Sequence, residues 1–279
     1  MAHGGDLDRI RRLEERARQV RFHIVDMIHT ARSGHPGGSL SAADIMTALY
    51  FEFLRLRPAQ PRWPERDRFV LSKGHACPAL YACLALRGYF PIETLKTLRR
   101  FESILQGHPI MKTPGVDMST GSLGHGLAAA VGMAIDGKLR GRGYRTYALV
   151  GDGELNEGIV WEAASTAHKY RLDRLAVIVD ANRLQNDGET GSVMPMEPVA
   201  DKWRAFNWNV IEIDGHDMGQ IVSAIEAAQA FAGGPTCIIA RTVKGRGVSF
   251  MENKREWHGL APDDAQYEQA VREINRGLR

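Results

Sequence analysis

Short β-rich runs alternate with helical stretches through the second half of the chain, and this alternation is the strongest constraint on its fold. Strands that alternate with helices form βαβ units, whose strands pair in a parallel sheet covered by helices on both faces. The sequence therefore predicts an α/β fold of this kind. The predicted strands lie at residues 146–150, 175–180, 209–213 and 236–240, with helices near 159–170 and 218–231.

The first half of the chain is predicted to be mostly helical. Apolar residues recur at steps of three and four between residues 7 and 31, which is the spacing of an amphipathic helix. A second helix is expected at 41–53, with Ser41 as its N-cap. We find no repeat and no convincing linker, so residues 1–279 are expected to form a single domain. A short strand is expected at 68–72, and further helices at 78–87, 92–101, 127–140 and 262–279.

Composition and charge exclude several classes of protein. With 44% hydrophobic and 25% charged residues, the chain has the balance of a globular protein with a substantial core. Its net charge is only +3 and its basic residues are scattered, so we expect no nucleic-acid partner. We expect no membrane span and no signal peptide, because the sequence lacks apolar runs of the required kind. Three cysteines without metal-site spacing fit reduced thiols and a cytoplasmic protein.

Two polar residues follow neighbouring predicted strands. Asp152 stands between Gly151 and Gly153 after the strand at 146–150, and Asn182 follows the next strand. The thirty positions from Asp152 to Asn182 match the length of one βαβ unit, so adjacent parallel strands would bring the two side chains together. Ligands of open parallel sheets bind at this edge, at the carboxyl ends of the strands.

The chemistry of these residues indicates a particular metal. An aspartate carboxylate, an asparagine amide oxygen and a backbone carbonyl are hard oxygen donors with a single net negative charge. This set suits Mg²⁺ completed by water and phosphate oxygens, and it suits zinc poorly. A Gly-Asp-Gly sequence alone would more often be a simple turn. The second polar residue at the right distance makes a site for a metal and a diphosphate the better interpretation.

At these residues the chain resembles the thiamine diphosphate enzymes, whose magnesium motif opens with Gly-Asp-Gly and closes one βαβ unit later on an asparagine. The resemblance implies thiamine diphosphate and Mg²⁺ as cofactors, with Asp152, Asn182 and the Leu184 carbonyl as metal ligands. The chain departs from the family pattern at Ala181, where an asparagine or aspartate is usual, but it keeps the ligating position. The residues that would contact the cofactor at this motif are Gly151, Gly153, Glu154 and Asn182.

Glycine-flanked histidines carry a narrower resemblance, to the amino-terminal part of transketolases. The resemblance implies catalytic roles for four of them. His35, His108 and His258 would hold the hydroxyls of a ketose donor. His75 and His258 would contact the cofactor, together with the backbone of Gly121, Ser122 and Leu123. The matching segments, which follow the family's order, are Ser-Gly-His-Pro-Gly at 33–37, Leu-Ser-Lys-Gly-His at 71–75, Gly-His-Pro at 107–109 and Thr-Gly-Ser-Leu-Gly at 120–124.

Three further matches surround this site. Residues 242–247, which lead to His258, resemble a loop that closes over the cofactor in split transketolases. Glu157 and Glu162 match an acidic pair that links two active sites in the family, although such a pair also fits a solvated helix face. His125 stands where single-chain members have a glutamine, which leaves its substrate contacts open.

A second domain is expected on another chain. The cofactor is activated by a glutamate beside its pyrimidine ring, and in the family that glutamate belongs to a separate pyrimidine-binding domain. Only residues 259–279 follow His258, so we expect this domain, and the arginines that hold the sugar phosphate, on a partner subunit. The resemblance thus implies one half of an α2β2 transketolase, inactive alone. It would transfer a two-carbon ketol unit from a ketose phosphate, either ordinary or branched or sulfonated, to an aldose phosphate.

Two other interpretations remain at this point. A subunit of a related enzyme, such as a deoxyxylulose-phosphate synthase or a 2-oxo acid dehydrogenase, would share the metal motif, but the histidine-rich turns favour a sugar donor. A non-catalytic scaffold that binds the cofactor would retain affinity for it and show no turnover beside any partner.

Overall fold

The computed structural model describes residues 4–276 and contains a five-stranded sheet. All pairings are parallel, and the strand order is β1-β2-β3-β5-β4. Every strand begins at its predicted residue and ends within one residue of the predicted end, so the parallel sheet is confirmed. The strands are β1 (Arg68–Leu71), β2 (Thr146–Gly151), β3 (Leu175–Ala181), β4 (Asn209–Asp214) and β5 (Thr236–Arg241).

Helices surround this sheet. Most predicted helices are confirmed with small shifts at their ends, and the last one is found two residues later than predicted; residues 277–279 lie outside the described part of the chain. Within residues 4–276, no helix combines the length and apolar character needed to cross a membrane. The helices are α1 (Gly4–Ala31), α2 (Pro36–Ser41), α3 (Ala43–Ala48), α4 (Cys77–Leu86), α5 (His125–Leu139), α6 (Gly158–Lys169), α7 (Thr190–Val193), α8 (Val199–Ala205), α9 (Met218–Ala230) and α10 (Asp264–Arg276).

The side chains of each strand alternate between two apolar cores, one on each face of the sheet. From β2, Tyr147 and Leu149 pack in the core formed with α1, α3, α4, α9 and α10. Ala148 and Val150 pack in the other core, with α5, α6 and α8. Strands that are buried on both faces need apolar residues at nearly every position, which is why β2, β3 and β5 stood out in the sequence. The edge strand β4 is more exposed and carries polar residues. The prediction of helices on both faces is confirmed.

The helix predicted at residues 41–53 is wrong at its start. Helical structure begins at Pro36, which occupies the first turn of α2, and it is interrupted at Ala42 before α3. Ser41 does not act as a cap, because its hydroxyl donates a hydrogen bond to the Asp180 carboxylate at 2.6 Å. After α3 the chain continues into one π-helical turn, Leu49–Phe53. A serine before an apolar run looks like a cap, but here a tertiary contact uses its hydroxyl.

The helix predicted at residues 92–101 is also wrong. Only a short 3₁₀ segment forms, Ile92–Thr97. Arg99 and Glu102 adopt left-handed backbone conformations with φ of 58° and 63°, which a helix cannot contain. Leu95 and Leu98 are buried in the core, so their helix-like spacing anchors an irregular loop.

Helix α5 approaches the end of β1 closely because Gly126 has no side chain. A Cβ at Gly126 would lie 2.6 Å from the Cα of Ser72, whereas a Cβ at Gly132, on the same helix, would meet no atom within 4 Å. We expect Gly126→Ala to lower the free energy of unfolding by about 1–3 kcal/mol through overpacking. The matched control, Gly132→Ala, should raise it by up to about 1 kcal/mol through helix propensity. Urea unfolding followed by circular dichroism measures both, and equal effects would contradict the prediction.

Candidate active site

The carboxyl ends of the strands border a cavity of about 1330 Å³. Asp152 after β2, Asn182 and Leu184 after β3, and the loop after β5 line it. Gly151 pairs with Asp180 in the sheet register, so β2 and β3 end side by side. This is the edge at which open parallel sheets bind their ligands.

Two of the predicted metal ligands, Asp152 and Asn182, follow these adjacent strands and are tied together. Asp152 Oδ2 accepts a hydrogen bond from the backbone N–H of Arg183 at 2.5 Å, and its Oδ1 accepts one from Gly153 at 2.9 Å. Asn182 Oδ1 accepts from the backbone N–H of Leu184 at 3.1 Å. Both side chains are 6% exposed. The spacing argument from the sequence therefore placed these oxygens at one cavity.

The third predicted ligand, the Leu184 carbonyl, faces a cation of the chain itself. Lys244 Nζ donates to this carbonyl at 2.9 Å and to His258 Nδ1 at 2.8 Å. Burial and then the positive charge of Lys73 lower the pKa of Lys244 to about 8. Sequence analysis singled out the 242–247 loop but missed this lysine. A lysine 2% exposed at the strand ends places positive charge where an anion would bind.

The donor set fits a cation of the Mg²⁺ type. Asp152, Asn182 and the Leu184 carbonyl offer only oxygen atoms, and each oxygen has lone pairs beyond those used in the contacts above. In the described part of the chain, no three His, Cys, Asp or Glu side chains gather in a way that could hold a metal. A site here would therefore depend on amide and carbonyl oxygens. Burial and then the charge of Asp180 raise the pKa of Asp152, and a bound cation would oppose both effects.

A buried ion pair that sequence analysis missed supports the end of β3. Asp180 accepts hydrogen bonds from the Lys73 ammonium and the Thr242 hydroxyl as well as from Ser41. Burial opposes ionisation of Asp180, but the Lys73 charge and these hydrogen bonds outweigh it and lower its pKa. The Asp180 carbonyl also accepts from the Asp152 backbone N–H at 3.2 Å. These contacts link the ends of four strands: β1, β2, β3 and β5.

The four predicted catalytic histidines come together from four separate segments. The ring centroid of His35 lies 5.5 Å from that of His75, 6.4 Å from that of His108 and 5.5 Å from that of His258. The rings of His75 and His258 are 5.1 Å apart. The glycine-flanked turns of the sequence therefore converge on one imidazole cluster. The roles of its members in binding sugar and cofactor remain predictions.

Arg99, also missed by sequence analysis, orients His35. Its guanidinium donates to His35 Nδ1 at 3.2 Å and to the Ser33 hydroxyl at 2.8 Å. Because Nδ1 accepts this bond, the proton of neutral His35 lies on Nε2. An ammonium group can only donate hydrogen bonds, so Lys244 donates to His258 Nδ1. The proton of neutral His258 therefore lies on Nε2 as well.

The environment keeps these imidazoles neutral near pH 7. Burial and then Arg99 lower the pKa of His35 to about 4, and burial and then Lys244 lower that of His258 to about 3. Burial and then Lys73 hold the pKa of His75 well below its ordinary value. Neutral imidazoles with an N–H donor suit hydroxyl and carbonyl oxygens as ligands.

The predicted cofactor loop at residues 121–123 lies beside this cluster. A Cβ at Gly121 would stand 3.4 Å from the His108 ring, and one at Gly74 would stand 3.1 Å from the Gly121 nitrogen. Ser122 is exposed, and Leu123 is partly buried. The structure thus brings this loop next to the turn that carries His75, as the predicted shared site requires, and its cofactor contacts stay a prediction.

Glu154 uses its carboxylate within the chain. Oε1 accepts from the Ser72 hydroxyl at 2.5 Å and the Gly124 N–H at 2.7 Å, and Oε2 accepts from the Gly151 N–H at 3.0 Å. These bonds join the ends of β1 and β2 to the start of α5. Gly153 has no room for a side chain, because a Cβ would lie 2.8 Å from Cγ of Gln185. Contact of Gly151, Gly153 and Glu154 with a cofactor stays a prediction.

The remaining predicted residues lie at the surface. Glu157 immediately precedes α6 and Glu162 lies on it, and both are exposed. His125 opens α5, is exposed, and has its Nδ1 3.2 Å from the Leu123 carbonyl. Exposure fits a solvated helix face and a contact with another chain equally well.

Three features define the class of this protein: a parallel sheet with helices on both faces, oxygen donors at adjacent strand ends and a buried lysine beside them. It is the class of open parallel α/β proteins, whose ligands bind at the carboxyl edge of the sheet. Within this class, the family model described as the transketolase thiamine diphosphate binding domain matches residues 13–275. The chain belongs to this family.

Relatives of similar length share most of the sequence. The chain is 47% identical to the 6-deoxy-6-sulfo-D-fructose transketolase subunit SqwG of Clostridium sp. (strain MSTE9), over 95% of this chain and 96% of that protein. It is 43% identical to a subunit of the apulose-4-phosphate transketolase of Phocaeicola vulgatus, over 95% of each chain. The predicted resemblance to one subunit of a split transketolase is confirmed by these similarities.

Longer transketolases match over part of their length. The transketolase of Homo sapiens is 42% identical over 98% of this chain, which corresponds to 43% of that protein. The crystal structure of the transketolase from Campylobacter jejuni superposes with a TM-score of 0.89 at 36% identity, over 94% of this chain and 42% of that one. The predicted fold family is therefore confirmed.

The lowered pKa of His35 makes stability depend on pH. An unfolded histidine binds a proton below about pH 6.5, whereas folded His35 stays neutral down to about pH 4. Unfolding therefore takes up a proton in this window, and stability falls as the pH drops through it. We expect His35→Gln to reduce the loss of unfolding free energy between about pH 7 and about pH 5, measured by urea unfolding. The control is His168→Gln, at an exposed position of α6, and equal changes in both variants would contradict the prediction.

Proposed function

We propose that this chain binds the diphosphate end of thiamine diphosphate through Mg²⁺ and, with a partner subunit, transfers a two-carbon ketol unit between sugar phosphates. The observation that carries the proposal is the meeting of Asp152, Asn182 and the Leu184 carbonyl at one cavity beside Lys244. Asp152, Asn182 and Leu184 would hold the metal. Lys244 supplies positive charge for the diphosphate.

The imidazole cluster supports a sugar as the donor substrate. When bound, thiamine diphosphate supplies an electron-accepting ring that permits cleavage of a carbon–carbon bond beside a carbonyl. His35 and His258 each present an N–H at Nε2, because their Nδ1 atoms accept bonds from Arg99 and Lys244. Such donors bind hydroxyl and carbonyl oxygens of a ketose and hold it in place, and His108, which is exposed beside them, extends the same surface.

The partner is proposed to be the subunit that carries the pyrimidine-binding domain. Relatives described as subunits have the length of this chain, whereas the single-chain transketolase of Homo sapiens is matched over only 43% of its length. This division supports a single cofactor-binding domain here and a partner chain for the rest. The assembly is proposed to be α2β2, in which the exposed Glu157 and Glu162 would couple two sites. Burial of the free cysteines supports a reducing, cytoplasmic setting: they are Cys77, Cys83 and Cys237.

Replacing the carboxylate tests the metal site. We expect Asp152→Asn to weaken magnesium-dependent binding of thiamine diphosphate at least about tenfold, because the charged ligand is lost. Isothermal titration calorimetry with and without Mg²⁺ measures this effect on the full chain. The matched control is Asp8→Asn, at an exposed position of α1, which should bind as the unchanged chain does. Wild-type affinity in Asp152→Asn would exclude the proposed ligand set.

Reconstitution tests the reaction. This chain, the proposed partner subunit, Mg²⁺ and thiamine diphosphate should together give ketol transfer in a coupled assay with a panel of ketose phosphates. Neither chain should be active by itself, because this chain is proposed to bind the diphosphate end of the cofactor and the partner to supply the glutamate that activates it. Pyruvate serves as the comparison substrate. Turnover of pyruvate alone would favour a related thiamine diphosphate enzyme, and tight cofactor binding without any turnover would favour a scaffold.

A further inference from the structure

Three buried polar side chains outside the proposed ligand set hold the loop that carries Lys244. Arg21 belongs to α1, Asp44 to α3, and His216 to the turn between β4 and α9. Their side chains are 2%, 6% and 7% exposed. We call these three residues the loop-holding network.

The network connects to the loop on both sides of Lys244. Arg21 binds the Asp44 carboxylate in a bidentate way, at 2.9 and 2.5 Å, and His216 Nδ1 lies 2.8 Å from Asp44 Oδ2. His216 Nε2 accepts the backbone N–H of Val243 at 2.8 Å. Arg21 Nε donates to the backbone carbonyl of Arg246 at 3.2 Å. Arg21 and His216, joined through Asp44, thus bind the backbone one residue before and two residues after the lysine.

The hydrogen bonds of the His216 ring are all used to hold the loop. Because Nε2 accepts from the Val243 N–H, the proton of the neutral ring lies on Nδ1 and is donated to Asp44. Both ring nitrogens are therefore used, although the ring lines the cavity. His216 has no nitrogen left to hydrogen-bond a ligand, so its polar contacts act on a ligand through the loop.

The loop itself leaves the lysine backbone little freedom. The Gly245 N–H donates to the Gly37 carbonyl at 3.0 Å, and the Lys244 carbonyl accepts from the Asn253 N–H at 2.9 Å. Gly245 has a φ of 85°, and a Cβ there would lie 2.4 Å from the Met251 carbonyl oxygen. Because this backbone is already fixed, less conformational entropy is lost when Lys244 binds a ligand.

We propose that Arg21, Asp44 and His216 are positioning residues that fix Lys244 for an anionic ligand by holding the Val243 N–H and the Arg246 carbonyl. This inference rests on the proposed function, since the ligand is taken to be the diphosphate of thiamine diphosphate. According to this proposal, His216 affects cofactor affinity although neither of its ring nitrogens binds the cofactor.

Two substitutions of His216 separate its two contacts. His216→Asn keeps a donor near the position of Nδ1, which can bind Asp44, but its side chain is too short to accept from the Val243 N–H. His216→Gln extends a carbonyl oxygen to the position of Nε2 and can accept that bond. The exposed His168→Asn on α6 is the matched control.

Hydrogen exchange followed by mass spectrometry measures how well the loop backbone is protected, with the full chain and no cofactor. We expect faster exchange in the peptide that covers residues 242–248 in His216→Asn, and restored protection in His216→Gln. Calorimetry with thiamine diphosphate and Mg²⁺ should then give affinity at least about tenfold weaker in His216→Asn and within about threefold of wild type in His216→Gln. His168→Asn should change neither readout.

The outcomes separate this inference from the proposed function. Unchanged exchange in His216→Asn overturns the inference, as does faster exchange with unchanged affinity. Faster exchange spread through β5 and α9 also overturns it, because the residue would then stabilise the domain in general. A wild-type chain without affinity for thiamine diphosphate overturns the proposed function and the role of Lys244 together, whereas the exchange result still shows whether His216 holds the loop.

Discussion

The buried ion pair between Lys73 and Asp180 sets the arrangement on which the site depends. A buried charge is costly unless it is paired and hydrogen-bonded. Asp180 meets this condition through Lys73, Ser41 and Thr242, which come from the ends of β1 and α2 and from the loop after β5. Its backbone carbonyl binds the N–H of Asp152. The position of Asp152, and with it the candidate metal site, therefore depends on this pair.

Charge at the site is balanced against burial. Burial raises the pKa of Asp152 and lowers that of Lys244, so the apoprotein holds an anion and a cation that are both disfavoured by their surroundings. In the proposed complex, a metal faces the carboxylate and a diphosphate faces the ammonium, and each ligand favours the charged form of its neighbour. Burial and then the same positive charge lower the pKa of His258 and keep that imidazole neutral. In the proposed complex, one lysine would thus serve both the cofactor end and the sugar end of the site.

Much of the fold could be read from the sequence because parallel strands buried on both faces are continuous apolar runs with sharp ends. The alternation of strands and helices also predicted that Asp152 and Asn182 would lie close together, since one βαβ unit separates them. The missed features are contacts between distant residues: Lys73 and Asp180 are 107 positions apart, and Arg99 and His35 are 64 apart. Ser41 was misread as a cap because its partner lies 139 positions away. No local pattern contains such pairs.

Contacts within this chain already order its half of the site. Glu154 joins the ends of β1 and β2 to α5, and Asp44 joins α1 to the loop that carries Lys244. An enzyme divided into two chains benefits from this arrangement, because order that exists before association does not reduce the free energy of assembly. The proposed partner then has to supply reacting groups and need not shape this half of the site. If each chain orders its own backbone, an enzyme can reasonably be divided into two chains at its cofactor site.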